Sequence, residues 1–115
     1  MNWGFSPVCI YTQVAPRIRA RAYALGYAIA LHGSMRRDLD LVAIPWIEEA
    51  ADPAELVKAI TEEVEGFVPK ASLEGGWSVP EPTKKPHGRM VWNICWGGAP
   101  FIDLSVMPRK EVGSE

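Results

Sequence analysis

The sequence predicts an α+β domain in which a mixed or mostly antiparallel sheet of four to five strands carries two helices on one face. Short apolar runs alternate with two amphipathic segments, and turn residues separate the strands that are closest in sequence. The chain has 115 residues, of which 48% are hydrophobic and 23% are charged. This is the composition of a folded protein, and the length predicts a single domain over residues 1–115.

The first quarter of the chain predicts a strand followed by a helix. Val8–Thr12 is rich in β-branched and aromatic residues, which favours a strand. Pro16 suits the first turn of a helix, and Gly26 suits its end. The apolar residues of this helix recur at helical spacing: Ala15, Ile18, Ala22 and Leu25.

A β-hairpin is predicted next. Residues 27–32 are an apolar strand, residues 33–37 are a polar turn that contains glycine, and residues 38–44 are a second strand. Side chains alternate between the two faces of a strand. The second strand therefore places Asp38, Asp40, Val42 and Ile44 on one face, and Leu39, Leu41 and Ala43 on the other.

The second helix has the clearest start signal in the chain. Asp52 suits the N-cap, Pro53 the first helical position, and Glu55 completes a capping box. Its apolar stripe consists of Leu56, Ala59, Ile60, Val64 and Phe67.

A long loop and a second hairpin complete the chain. The loop covers about residues 69–88, is rich in Pro, Gly, Ser and Lys, and has room for a short strand at 77–79. Residues 89–96 and 101–107 predict the hairpin, with Phe101, Asp103 and Ser105 on one face of its last strand. The tail at 109–115 is predicted to fray.

Charge, cysteine content and the distribution of apolar residues indicate the compartment of the protein and the class of partner. The net charge of −2 gives no basic balance of the kind that favours nucleic acid or a membrane surface. Two cysteines, both in apolar runs, predict buried thiols in a reducing compartment, with a disulfide between them as the alternative. The first residues lack a signal-peptide pattern and no apolar run is long enough to span a bilayer, so we expect a cytoplasmic protein with no membrane contact.

Three strand-borne aspartates are the candidate metal ligands: Asp38, Asp40 and Asp103. Aspartate is disfavoured in strands and is rarely buried without a partner. Two carboxylates on one strand face repel each other unless a cation or a proton intervenes. Carboxylate oxygens suit Mg²⁺, and a third carboxylate would allow the two-metal arrangement of phosphoryl transfer.

A purely structural interpretation of the same aspartates stays open. Asp38 would then end the turn, Asp40 would face solvent, and Asp103 would protect a sheet edge against aggregation. His32 is a candidate general base or a packed strand histidine. The tryptophans are interpreted as core residues, with a base-stacking platform as the alternative.

The runs Leu31–Ser34 and Arg37–Leu41 resemble the signature of the polymerase-beta-like nucleotidyltransferase fold. In that family one strand ends in Gly-Ser, the next carries Asp-x-Asp, and a later strand adds an acidic residue, here Asp103. The resemblance implies a nucleotidyltransferase-like domain that uses Mg²⁺ (or Mn²⁺) and a nucleoside triphosphate, with an unidentified acceptor. It implies metal ligands at Asp38, Asp40 and Asp103, with Asp103 also a candidate catalytic base, and phosphate contacts at Gly33 and Ser34.

The final third of the chain adds a second resemblance and an alternative function. Residues 85–89 and 101–109 are similar to small bacteriophage or prophage proteins, which implies a bacterial or phage-infected host cell. Lys84, Lys85 and Arg89 are candidate phosphate-binding residues, or simply solvated loop residues. The alternative is a non-catalytic, phage-encoded interaction protein that keeps the scaffold, for which a homodimer through a sheet edge or a tryptophan-bearing face would suit.

Overall fold

The computed structural model describes residues 7–67, 76–97 and 99–109. They form two helices, six strands and one short 3₁₀ turn at Pro86–Gly88. The helices are α1 (Pro7–Ala24) and α2 (Pro53–Phe67). The strands are β1 (Tyr27–His32), β2 (Leu39–Pro45), β3 (Trp77–Ser78), β4 (Thr83–Lys84), β5 (Met90–Trp96) and β6 (Ala99–Val106).

Helix α1 begins nine residues earlier than the sequence predicts, so the predicted strand at Val8–Thr12 is wrong. The helical spacing of apolar residues extends back beyond Pro16, and the resulting stripe is buried: Ile10, Tyr11, Val14, Ile18 and Ala22. Pro16 lies inside the helix and is exposed, where it lacks the N–H that would bond to the preceding turn. Burial of the stripe therefore outweighs both the local β-propensity and the internal proline.

The strands form one mixed sheet in the order β1-β2-β6-β5-β3, with β4 also paired to β5. Strands β2 and β6 are parallel, and all the other pairs are antiparallel. The sheet has six strands rather than four to five. The predicted strand at Val8–Thr12 is helical, while β3 and β4 both lie in the segment predicted as a long loop with room for one short strand. The hairpin of β1 and β2 is confirmed, with Tyr27 opposite Pro45 and His32 opposite Asp40.

In the described part of the chain, one face of the sheet packs against the helices, and the other, which we call the open face, carries exposed and half-buried side chains. Buried residues of β1, β2, β5 and β6 belong to the same core cluster as the apolar stripes of α1 and α2. On β2 the pattern is the predicted alternation, with Leu39, Leu41 and Ala43 buried and Asp40 and Val42 only half-buried. The predicted α+β arrangement, with two helices against a mixed sheet, is confirmed.

A β-bulge changes the predicted face of Phe101. In the β5–β6 ladder Ile94 pairs with Ile102, whereas Cys95 pairs with Pro100, so Phe101 is the extra residue. Its side chain is 2% exposed and its ring packs edge-on against Tyr11 at 5.2 Å. Phe101 therefore belongs to the core. The prediction that it shares the face of Asp103 is wrong.

The second helix follows its sequence pattern. It starts at Pro53, after the predicted N-cap, and Leu56, Ala59, Ile60 and Val64 are buried. It is tied to α1 by ion pairs in which Glu63 accepts from Arg17 at 3.1 Å and from Arg21 at 2.9 Å.

The cysteines and the predicted loop agree with the sequence predictions only in part. Cys95 is buried as expected, but Cys9 is exposed on α1 because this segment is helical. The predicted strand at 77–79 is confirmed as β3, while residues 68–75 and 110–115 of the predicted loop and tail lie outside the described ranges. Neither described helix has the length and hydropathy needed to cross a bilayer.

Gly26 should tolerate no side chain. Its φ is +94°, and an added Cβ would stand 2.7 Å from the Ala50 Cα, a backbone atom that cannot yield cheaply. We expect Gly26→Ala to lower the free energy of unfolding by roughly 1–3 kcal/mol in urea denaturation. Gly66→Ala is the control, since nothing lies within 4 Å of that position in α2. It should raise stability by up to about 1 kcal/mol, and equal losses in both variants would contradict this account.

Candidate metal centre

The parallel pairing of β2 with β6 places two aspartates side by side. Asp40 lies directly opposite Asp103 in the ladder, and Asp38 precedes Asp40 by two residues. Each of the three offers a carboxylate oxygen that lies within 4.8 Å of those of the other two, and all three side chains are half-buried. The structure thus brings together the three acidic residues singled out in the sequence, which we call the acidic triad.

The hydrophobic pattern dictates this placement. Leu39 and Leu41 on β2, and Ile102 and Leu104 on β6, are fully buried on the helix side of the sheet. Since neighbouring side chains in a strand point to opposite faces, the aspartates between them must project onto the open face. Burial of four aliphatic side chains therefore forces the carboxylates together.

No basic side chain neutralises the acidic triad among residues 7–67, 76–97 and 99–109. The ion pairs there join Arg17 and Arg21 to α2 and Arg109 to Asp52. Among the described residues the three carboxylates share one small volume without an ion-pair partner, an arrangement that a cation or a proton would relieve.

The electrostatics of Asp40 reflect this crowding. Burial raises the pKa of its carboxyl group, and the charges of Asp38 and Asp103 raise the pKa further. His32, which is exposed and lies opposite Asp40 in the β1–β2 ladder, acts in the opposite direction. Burial and the neighbouring negative charges thus both disfavour the ionised form of Asp40.

The turn at Gly33–Arg37 begins next to the acidic triad, with Gly33 close to the carboxylate of Asp40. Gly33 has φ of +80°, and a Cβ at this position would lie 2.5 Å from Oδ2 of Asp40. Only glycine lets the backbone approach the carboxylate so closely. The Ser34 side chain is exposed, and its Oγ accepts a hydrogen bond from the Arg36 N–H at 3.3 Å, which helps to hold the turn.

Of the predicted basic contacts, Arg89 reaches the face that carries the triad. Its Nη1 donates to Oγ of Ser105 at 3.0 Å, and Ser105 follows Asp103 by two residues on β6. Lys84 and Lys85 are exposed at β4, which β5 separates from β6. They therefore lie about two strand spacings, roughly 10 Å, from β6.

Sequence reasoning missed two residues beside the triad. Asn93 lies opposite Asp103 in the β5–β6 ladder and is exposed on the same face. Tyr11 lies in the segment that the sequence predicts as a strand. The structure places it on α1, with its hydroxyl against the backbone just before β2. Asn93 could have been found by aligning the two strands of the predicted second hairpin, which places it opposite Asp103. Tyr11 could not, because only tertiary packing brings α1 to the start of β2.

Comparisons with known proteins do not add a relative. No protein-family model matches the chain, and neither a curated protein nor a solved structure matches it.

Asp40→Asn should stabilise the metal-free protein at pH 7. Because the pKa of Asp40 is raised in the folded state, its contribution to stability is fully present below the ordinary Asp pKa of about 3.9 and is lost as pH rises through the raised pKa. Removing the charge recovers that loss, so the advantage of the variant should shrink as the pH approaches 3.9. Urea denaturation with chelator across this pH range measures the effect.

The control is Asp52→Asn, which changes the aspartate outside the triad. Asp52 is exposed and precedes α2, where asparagine caps a helix as well as aspartate does. We expect little change in stability from this variant. A metal-free Asp40→Asn protein less stable than the wild type at pH 7 would show that the triad is not under electrostatic stress.

Proposed function

We propose that this domain binds a nucleoside triphosphate through a divalent cation, Mg²⁺ or Mn²⁺, and transfers a nucleotidyl group to an acceptor. The observation that carries the proposal is the convergence of Asp38, Asp40 and Asp103 within 4.8 Å without a basic partner among the described residues. The resemblance of residues 31–41 to polymerase-beta-like nucleotidyltransferases supports the choice of reaction.

The donor set fits a hard divalent cation. All three groups are carboxylates, and Mg²⁺ prefers oxygen ligands and keeps sites open for phosphate oxygens. A bound cation would neutralise the carboxylates and polarise the phosphate that is attacked. The triad lies on the open face of the sheet, so a triphosphate can reach it without displacing a helix.

The surrounding residues supply the roles that such a substrate needs. Gly33 and Ser34 form the turn beside Asp40, where a backbone N–H and a hydroxyl can donate to phosphate oxygens. Arg89, held by Ser105 on the same face, offers a guanidinium for the outer phosphates. Lys84 and Lys85 are more distant and suit a longer-range electrostatic role.

The transfer step requires a group that accepts a proton. The acceptor's hydroxyl oxygen would bond to the α-phosphorus while the bond from that phosphorus to the pyrophosphate oxygen breaks. The hydroxyl proton must leave as that bond forms. Asp103 either completes the metal set or takes up this proton.

Thermal denaturation with added metal tests the proposal. Mg²⁺ or Mn²⁺, with and without each nucleoside triphosphate, should raise the Tm of the wild type by mass action. At 100-fold excess over Kd the stabilisation is about 2.7 kcal/mol, on the order of 10 °C for a domain of this size. Asp40→Asn should abolish the shift, and Asp52→Asn should keep it.

Pyrophosphate release from each triphosphate measures the reaction itself. Asp40→Asn should reduce release to the uncatalysed rate, whereas Asp52→Asn should retain it. The proposal is wrong if neither metal shifts the Tm of the wild type at millimolar concentration, alone or with any of the triphosphates.

A second candidate function is a non-catalytic, phage-encoded interaction protein that forms a homodimer through β1. In the described part of the chain β1 pairs only with β2, and it contains neither proline nor a Lys, Arg, Asp or Glu. Edge strands usually carry such residues to prevent pairing. At the other end of the sheet, β3 and β4 are two residues long and have prolines and lysines beside them.

An exposed apolar cluster surrounds the start of β1. Tyr23 is 60% exposed and Trp46 is 47% exposed, and their rings stack at 4.6 Å. Ile44 is 46% exposed and lies opposite Ala28. Antiparallel pairing of β1 with a second copy would continue the sheet and cover part of this cluster.

Sedimentation velocity tests the homodimer. We expect the wild type to dimerise and Ala30→Lys to be monomeric, because a lysine at this exposed position of β1 would repel its counterpart in the second copy. The control is Ser78→Lys, which places the same charge at an exposed position of β3 and should dimerise normally. A wild type that remains monomeric at about 100 μM would exclude a dimer of functional strength.

A further inference from the structure

A buried phenol contacts the backbone just before β2 and within β6, the two strands that carry the triad. Tyr11, on α1, is 1% exposed. Its hydroxyl donates to the carbonyl oxygen of Arg37 at 2.7 Å and lies 3.3 Å from the carbonyl oxygen of Phe101. Arg37 immediately precedes Asp38, and Phe101 precedes Asp103 by two residues.

The sheet does not hold this end of the triad. The pairing of β2 with β6 begins at Leu39 and Ile102, so Asp38 lies just outside the ladder. The Arg37 carbonyl belongs to the planar peptide unit that leads into the Asp38 Cα. A hydrogen bond to that carbonyl therefore limits the rotation of Asp38 relative to Asp40.

We infer that Tyr11 is a positioning residue that holds Asp38 within chelating distance of Asp40 and Asp103 by tying the backbone at Arg37, before β2, and at Phe101, in β6, to α1. The inference rests on the proposed cation site. Groups that orient metal ligands without touching the metal commonly change metal affinity by 10- to 100-fold. Tyr11 acts in this way through the backbone rather than through the carboxylate.

The chemistry of Tyr11 suits this position. Burial raises the pKa of its hydroxyl, and the negative charges of Asp38 and Asp40 raise the pKa further. The group therefore stays a neutral donor at physiological pH. A lysine or arginine here would bring a positive charge next to the triad and compete with the cation, whereas a phenol fixes the backbone and leaves the negative charge of the triad intact.

The chain offers a matched pair of variants. Tyr11→Phe removes one hydroxyl and keeps the ring that packs on Phe101. Tyr27→Phe removes an equivalent hydroxyl, since Tyr27 is 0% exposed and donates to the carbonyl oxygen of Ala51 at 2.7 Å, at the other end of β1 from His32. Both variants lose one buried hydrogen bond, so a merely structural role predicts similar effects of the two.

The experiment measures Mn²⁺ binding by calorimetry, with the Tm of each metal-free variant recorded alongside. We expect both variants to lower the Tm, but only Tyr11→Phe to weaken Mn²⁺ binding, by on the order of tenfold. Tyr27→Phe should bind Mn²⁺ as the wild type does.

The other outcomes separate the positioning role from the cation site itself. If the wild type binds Mn²⁺ and Tyr11→Phe binds it equally well, Tyr11 does not position the triad and the proposed function stands. The positioning role is also excluded if both variants weaken binding alike, because the effect then reflects stability alone. If the wild type binds neither Mn²⁺ nor Mg²⁺, the cation site fails and the role of Tyr11 fails with it.

Discussion

The parallel pairing of β2 with β6 is the constraint on which the rest of this structure depends. It sets Asp40 opposite Asp103 at the centre of the sheet, while Leu41 and Leu104, the next pair along, are fully buried on the other face. Moving either strand by one residue would bury a carboxylate and expose a leucine. The register that builds the core is thus the register that concentrates negative charge on the open face.

The helices pack on the face of the sheet opposite the triad, so they support the strands and leave the carboxylates accessible. Because α1 and α2 pack in one layer with the buried side chains of the sheet, no described helix covers the triad. The same α1 reaches beneath the site through Tyr11, whose ring belongs to the core and whose hydroxyl belongs to the start of β2. Packing on the helix side of the sheet therefore fixes the strands rigidly enough to hold like charges close together on the opposite face.

Sequence patterns predicted the local features and failed at the long-range ones. The alternation around Asp38 and Asp40 and the start of α2 at Pro53 are signals that neighbours in the chain create, and the structure confirms them. The pairing of β2 with β6 joins segments about sixty residues apart, which no local pattern encodes. The error at Val8–Thr12 has the same origin, because Ile10 and Tyr11 are buried on a helix whose stripe continues to Ile18 and Ala22.

Topology also excludes one structural explanation of Asp103, the protection of a sheet edge. An acidic residue on an edge strand would be a guard against aggregation, but β2 and β6 are interior strands with neighbours on both sides. Neither Asp40 nor Asp103 therefore protects an edge. Burial raises the pKa of Asp40, and the charges of Asp38 and Asp103 raise that pKa further. A neutral Asn93 already occupies the next position across the ladder, so uncharged polar side chains fit this face. The carboxylates at this position agree with the proposed cation site, because oxygen ligands at this spacing suit a divalent cation.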